Sequence, residues 1–154
     1  MPTLHFDIHI AAPRERVWRT TLYTPTYERW TASFCEGSRY EGSWEAGTTI
    51  RFLAPNGDGM VAEIAEHRPA EFVSIRHIGM IHNGVEDTTS DAVRAWAPCF
   101  ENYTFTDEVR GTRVRIDVDV FGTYEDWMNQ TWPQALQALR AICENPNGEN
   151  PCDS

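Results

Sequence analysis

Within residues 36 to 121, apolar side chains recur at every second position. Successive strand residues point to opposite faces of a sheet, so this pattern makes strands with one face turned to a core. Six are predicted: "EGSRYEGSW", "TTIRFLAP", "GMVAEIAEH", "EFVSIRHI", "CFENYTFT" and "TRVRIDVDVF". The breaks "EAG", "PNGDG", "RPA" and "VRG" are short and rich in turn residues. Turns this short join antiparallel neighbours, because a parallel pair needs a long crossover. The one long connection, 79 to 97, is read as a solvated loop with Asn-Gly turn chemistry and a Ser/Thr-capped helix over 91 to 96. A sharper reading makes it a lid that closes Met80, Ile81 and Trp96 over a cavity.

The flanks behave differently. "TLHFDIHI" adds a first strand, with Leu4, Phe6, Ile8 and Ile10 inward and His5, Asp7 and His9 toward solvent. Two short helices follow, "AAPRERVWRTTL" and "PTYERW", each with a proline suited to a first helical turn. After Gly122 the period becomes 3.6. "TYEDWMNQTWPQALQALRAICE" puts Trp127, Thr131, Ala135, Leu139 and Ile142 on one stripe, flanked by Met128, Leu136 and Cys143. Thr123 is the expected N-cap. Pro133 lacks an N–H and crowds the carbonyl four residues back, so a kink is expected near Trp132. The remaining "NPNGENPCDS" reads as a disordered polar tail, so the domain is placed at 1–144 and the tail at 145–154.

The resulting class is α+β: an antiparallel sheet of about seven strands, two short helices after strand 1, and a long C-terminal helix. Only that helix is long enough to cover the apolar face. Large twisted sheets curl. A curled sheet around one helix leaves space beside the helix's N-terminal half unless bulky side chains fill it.

Composition removes several functions. A net charge of −10 makes nucleic acid and anionic membranes repulsive partners. All thirteen basic residues are Arg, so Schiff-base lysine chemistry is impossible. Cys35, Cys99, Cys143 and Cys152 are too widely spaced for a structural zinc site. No stretch has the ~20 apolar residues that membrane insertion takes, and the N-terminus lacks secretory-signal features. The expectation is a cytoplasmic protein with reduced thiols, no metal and no cofactor.

The motifs have a familiar order. "IAAPRERVW", "TPTYERWT", "YEGSWEAGTTIRFLAPNGDGMVAEIAEHRPAEFVSIRH", "FENYTF" and "WPQALQALRAICE" together resemble the SRPBCC (START/Bet v 1-like) superfamily, and within it the AHSA1-like proteins, named for an activator of the Hsp90 ATPase. The resemblance spans roughly residues 3 to 144. It implies a helix-grip fold with a deep apolar cavity. The superfamily includes lipid and sterol binders, cyclases, hydrolases and co-chaperone domains, so function has to come from the site.

Strand parity on that fold gives the cavity-facing side chains. Tyr40, Trp44, Ile50, Phe52, Met60, Ala62, Ile64, Val73, Ile75 and His77 share one face with Glu101, Tyr103, Phe105, Val114, Ile116, Val118 and Val120. The long helix adds Trp127, Met128 and Thr131, while Trp30, Phe34 and Trp96 cap the mouth. An ordinary filled core has the same aromatic pattern, so the bulk of these rings leaves the cavity's size open.

His77 and Glu101 fall roughly opposite each other across neighbouring strands. Three readings compete for them. With Tyr103 they orient the polar end of an apolar ligand. Alternatively they perform acid–base catalysis, such as a cyclisation or hydrolysis. The third reading is a metal site of His77, His82, Glu86 and Asp87, but it lacks compact ligand spacing, and His77 and His82 fall on opposite faces of an extended strand. The leading function is binding of a lipid, polyketide or aromatic metabolite. Catalysis on such a molecule is the alternative. A chaperone contact is implied by the resemblance alone.

Overall fold

The computed structural model describes residues 1–145. The C-terminal tail, with Cys152, lies outside the described residues apart from Asn145. The chain runs β1 (Thr3–Ile10), α1 (Arg14–Leu22), α2 (Thr24–Trp30), a 3₁₀ turn (Thr31–Ser33), β2 (Arg39–Gly42), β3 (Thr49–Leu53), β4 (Gly59–Arg68), β5 (Phe72–His82), β6 (Val85–Asp87), α3 (Asp91–Arg94), β7 (Cys99–Glu108), β8 (Gly111–Asp119) and α4 (Glu125–Glu144). Seven strands form a curved antiparallel sheet in the order β1-β8-β7-β5-β4-β3-β2, and β6 adds an eighth by pairing with β5.

β6 corrects the sequence reading. The 79–97 connection is not one long loop. β5 continues to His82, and Asn83 and Gly84, both at positive φ, turn it into β6. Asn-Gly between strands is the strongest short hairpin signal, because two central residues at positive φ match the twist of the paired strands. α3 then begins at the Ser90 cap, whose hydroxyl accepts from Val93 N at 3.3 Å.

Two bulges bend the sheet. Ile78 is the extra residue where Val61 pairs Gly79 and Ala62 pairs His77. Ala65 is extra where Ile64 pairs Ile75 and Glu66 pairs Ser74. Such bulges increase local twist and re-aim side chains. Beyond Ile78, Ile81 packs with Leu53 and Val61 in a small separate cluster.

α4 buries Thr131, Trp132, Ala135, Leu136, Leu139 and Cys143. Its cap is Tyr124 rather than the expected Thr123, and no side-chain hydrogen bond closes it. Trp127 is 43% exposed and Ile142 only partly buried, so the stripe is rotated toward Trp132. α4 packs on β1, α1, α2 and the 3₁₀ turn. It therefore covers the β1 end of the sheet most closely and leaves the middle strands to aromatic side chains.

His67 ties three segments together. Trp18 of α1 donates its indole N–H to His67 Nε2 at 2.9 Å, and His67 Nδ1 lies 2.8 Å from the carbonyl of Trp44. An indole N–H can only donate, so Nε2 accepts and the imidazole hydrogen sits on Nδ1.

The outward face of β1 and β8 is an ionic lattice. His5 and Arg115 meet Asp117, while His9 and Arg113 meet Glu108. Partial burial pushes the Asp117 carboxyl up, but the bonds from His5 and Arg115 outweigh it and hold it below the usual range. Hydrogen bonds from Arg113 and then His9 lower Glu108 likewise. A carboxyl lowered by folding stabilises fully above its unfolded value, and that contribution is lost as pH falls toward the lower folded value. The urea midpoint should therefore drop as the pH is taken below the ordinary carboxylate range. Asp117→Asn should flatten part of that slope; an unchanged slope would contradict the assignment.

Candidate functional site

A half-open cavity of about 250 Å³ lies between the middle strands, the α2–3₁₀ segment and the first half of α4. The helical side supplies Tyr27, Trp30, Thr31, Phe34, Trp127, Met128 and Trp132. The sheet supplies Phe52, Met60, His77, Cys99, Glu101, Tyr103 and Val118, with Ser38, Asp119 and Phe121 at the edges. Short elements crowd rings here because α2 carries Tyr27 and Trp30 one turn apart, both buried. Their rings meet edge-on at 5.7 Å. Phe34 sits edge-on to Trp132 at 4.8 Å and to Trp127 at 5.8 Å. The wall is continuous, because Trp30 also lies 6.1 Å from Trp132 and 6.4 Å from Tyr103.

One polar group interrupts this wall. His77 Nε2 lies 3.0 Å from Glu101 Oε1, and Tyr103 donates its hydroxyl to Glu101 Oε2. The His77 side chain is 8% exposed and that of Glu101 20%. Glu101 pairs Ile75 across the strands and Cys99 pairs His77. The two side chains therefore meet diagonally on one face rather than directly opposite. Phe52 packs on the imidazole at 5.6 Å.

Two residues of this lining each carry a buried polar atom with no hydrogen-bond partner among the described residues: His77 Nδ1 and Trp132 Nε1. Burying such atoms unpaired costs free energy, so they are rare in native proteins. The remaining groups hold their protons. Burial, then the charge of Glu101, pushes the Tyr103 phenol far up. Burial and Glu101 raise Tyr27 against an opposing hydrogen bond with Ser38. Burial, Asp119 and Glu101 push the Cys99 thiol up to about 12, and its S–H donates to the Asp119 carbonyl at 3.1 Å. Cys99 is therefore a packed, protonated thiol rather than a nucleophile.

The structure brings together Trp30, Phe34, Phe52, Met60, His77, Glu101, Tyr103, Val118, Trp127 and Met128 around this space. Ala62, Ile75 and Phe105 are buried in the filled core instead. Thr131 is buried on α4 one turn before Ala135 and is not part of this lining. Tyr40 lies behind this lining, its ring 4.9 Å from that of Tyr27 and its hydroxyl bonding the Leu22 carbonyl at 2.6 Å and Thr24. Trp96 stacks on Phe121 at 4.6 Å in a cluster with Val93 and Cys99. Met80 is exposed, so the expected lid of Met80, Ile81 and Trp96 does not converge on the cavity.

The four residues of the metal reading are dispersed. His82 meets Asp58 at 3.2 Å, Glu86 pairs with Arg51, and Asp87 accepts from Thr89 N and Ser90 N. Among the described residues no group of three or more His, Cys, Asp or Glu side chains is arranged to hold a metal ion. No helix of the described residues is long and apolar enough to cross a membrane.

This architecture recurs in solved structures. The chain is similar to protein MLL2253 from Mesorhizobium loti, with 18% identity and a TM-score of 0.71 over 92% of this chain and 96% of that one. It is similar to Aha1 from Colwellia psychrerythraea, solved as a dimer, with 18% identity and a TM-score of 0.69 over 94% and 97%. It is also similar to DynU16, encoded in the dynemicin biosynthetic locus, with 17% identity and a TM-score of 0.66 over 94% and 48%. The fold is a Bet v 1-like helix grip. No protein-family model matches the chain, and no curated protein matches it in sequence.

Proposed function

We propose that residues 1–144 form one AHSA1-like domain that binds a small, mostly apolar molecule between the sheet and α4. The observation that carries this reading is the pair of unpartnered polar atoms, His77 Nδ1 and Trp132 Nε1, carried by residues that line an aromatic cavity. A ligand whose polar end accepts from the Trp132 indole N–H and pairs with His77 Nδ1 would satisfy those atoms while its apolar body meets the Trp and Phe rings. The likeness to DynU16 supports a metabolite as ligand, and the likeness to Aha1 supports the AHSA1-like placement.

One observation favours a catalytic role instead. The His77–Glu101 contact at 3.0 Å leaves the far ring nitrogen free, and an imidazole oriented by a carboxylate can pass a proton. His77→Ala separates the two. For a binder, affinity should weaken by about 1–3 kcal/mol, the cost of one buried hydrogen bond. For an enzyme, turnover should fall by a factor of about 100 or more with little change in binding. Native mass spectrometry of freshly purified protein, followed by identification of any co-purified molecule, tests the cavity itself. A clean apo mass with no thermal shift across apolar and aromatic compounds would count against both readings and favour an interaction module.

A further inference from the structure

The chain's five histidines differ in what they face. Among the described residues, His5 meets Asp117, His9 meets Glu108, His77 meets Glu101 and His82 meets Asp58, while His67 forms no ion pair. His67 instead lies between the Trp18 indole N–H, 2.9 Å from Nε2, and the Trp44 carbonyl, 2.8 Å from Nδ1. Across the strands it pairs with Val73. The charged groups on the segments around it are committed elsewhere or point to water. On α1, Glu15 pairs with Arg19. In β4 and the turn after it, Glu66 and Glu71 pair with Arg68. Glu45, next to Trp44, is exposed.

This arrangement suits one protonation state. A neutral imidazole has one N–H for the Trp44 carbonyl and one bare nitrogen for the Trp18 N–H. A protonated ring has an N–H on each nitrogen, and the second would point at the Trp18 N–H. Two donors cannot share a hydrogen bond, and no carboxylate stands by to accept the new N–H. Imidazole is the side chain whose charge changes at mildly acidic pH.

Both contacts bear on the cavity. Trp18 belongs to α1, whose Thr20 carbonyl accepts from the Thr26 hydroxyl at 2.7 Å and whose Thr21 carbonyl accepts from the Trp30 indole at 3.1 Å. α1 thus fixes α2, which supplies Tyr27 and Trp30 to the cavity wall. The Trp44 ring lies 6.3 Å from that of Tyr27 and 5.8 Å from that of Phe52, which also lines the cavity.

We propose that His67 is a pH-sensitive latch on the helical wall of this cavity. The neutral ring clamps α1 and the Trp44 segment to β4; its protonation releases α1, loosens α2 and weakens occupancy. The effect on occupancy rests on the binding reading above.

Amide hydrogen exchange read by mass spectrometry, corrected for the intrinsic pH dependence of exchange, tests the latch without a ligand. From about pH 7.5 to about pH 5.5, protection of the α1–α2 segment should fall about fivefold relative to β7 and β8, the equivalent of one net hydrogen bond. His67→Gln offers one acceptor and one donor but no titrating group, and should hold its protection over the same range. Trp18→Phe removes the opposing N–H; it should start less protected and lose no more on acidification. No fall in the unaltered chain, or the same fall in both variants, would overturn the latch. Calorimetric titration with 2-phenylethanol, whose charge does not change with pH, reads the cavity. Weaker binding at the lower pH in the unaltered chain but not in His67→Gln would support the coupling. Equal affinity at both pH values, or the same weakening in His67→Gln, would overturn it. Absence of binding at either pH would overturn the binding reading, with the latch still decided by exchange.

Discussion

Trp30→Ala should lower the unfolding free energy by about 3–5 kcal/mol, the range for truncating a large buried aromatic. Trp30 is 1% exposed and sits at the last position of α2. Its ring touches the two sides of the molecule at once, Tyr103 on the sheet and Trp132 on α4. Its indole N–H donates to the carbonyl of Thr21 at 3.1 Å, so truncation also leaves that carbonyl at the end of α1 without this donor. The vacated volume adjoins the existing cavity, and the α2–3₁₀ segment would have to collapse inward to recover contacts. Trp30→Phe should cost less, since a ring remains but the hydrogen bond is lost. Urea denaturation followed by circular dichroism measures both. A loss below about 1.5 kcal/mol for Trp30→Ala would mean that the segment repacks easily and that the wall is plastic.

Glu101→Ala should be the second most damaging change, at roughly 2–4 kcal/mol. The carboxylate accepts from two donors, and removing it leaves His77 Nε2 and the Tyr103 hydroxyl unpaired in an apolar setting. The partial exposure of Glu101 keeps the figure below that of a fully buried pair. Glu101→Gln keeps one acceptor oxygen and should cost about 1 kcal/mol, one net hydrogen bond. A cycle with Tyr103→Phe checks the cause. The double variant should be less destabilised than the sum of the singles, because the hydroxyl orphaned in one is absent in the other. Additive losses would mean that the three groups do not act as a unit.

Most of this site is readable from alternation. Phe52, Met60, His77, Glu101, Tyr103 and Val118 fall on one face because the β3–β4, β4–β5 and β7–β8 turns are short, and because β5 and β7 pair directly despite the longer 83–98 connection between them. The bulge at Ile78 limits that logic. It shifts pairing by one residue beyond His77, so Ile81 ends in a different cluster and the supposed lid dissolves. The hairpin at Asn83–Gly84 carried its signal openly, but a three-residue β6 has too little pattern to register as a strand. Trp132 lies off the stripe that the 3.6 period assigns to α4, because that stripe is rotated in the fold and buries Trp132 in place of Trp127. Tyr27 and Ser38 belong to a seven-residue helix and an irregular segment, where no period exists to say which way a side chain points. Tyr40, Ala62, Ile75 and Phe105 share the correct face, yet depth along a strand decides between cavity and solid core, and that depends on where α4 lands.

Trp127 gives the molecule an optical reporter of its own. It is the most exposed ring on the cavity wall, while Trp30 and Trp132 are buried. A molecule entering beside it exchanges water for hydrocarbon around an indole whose emission depends on that exchange. Occupancy should shift the protein's emission to shorter wavelength, and Trp127→Phe should abolish most of the shift without closing the space. Binding can then be followed without a label, an isotope or a known substrate.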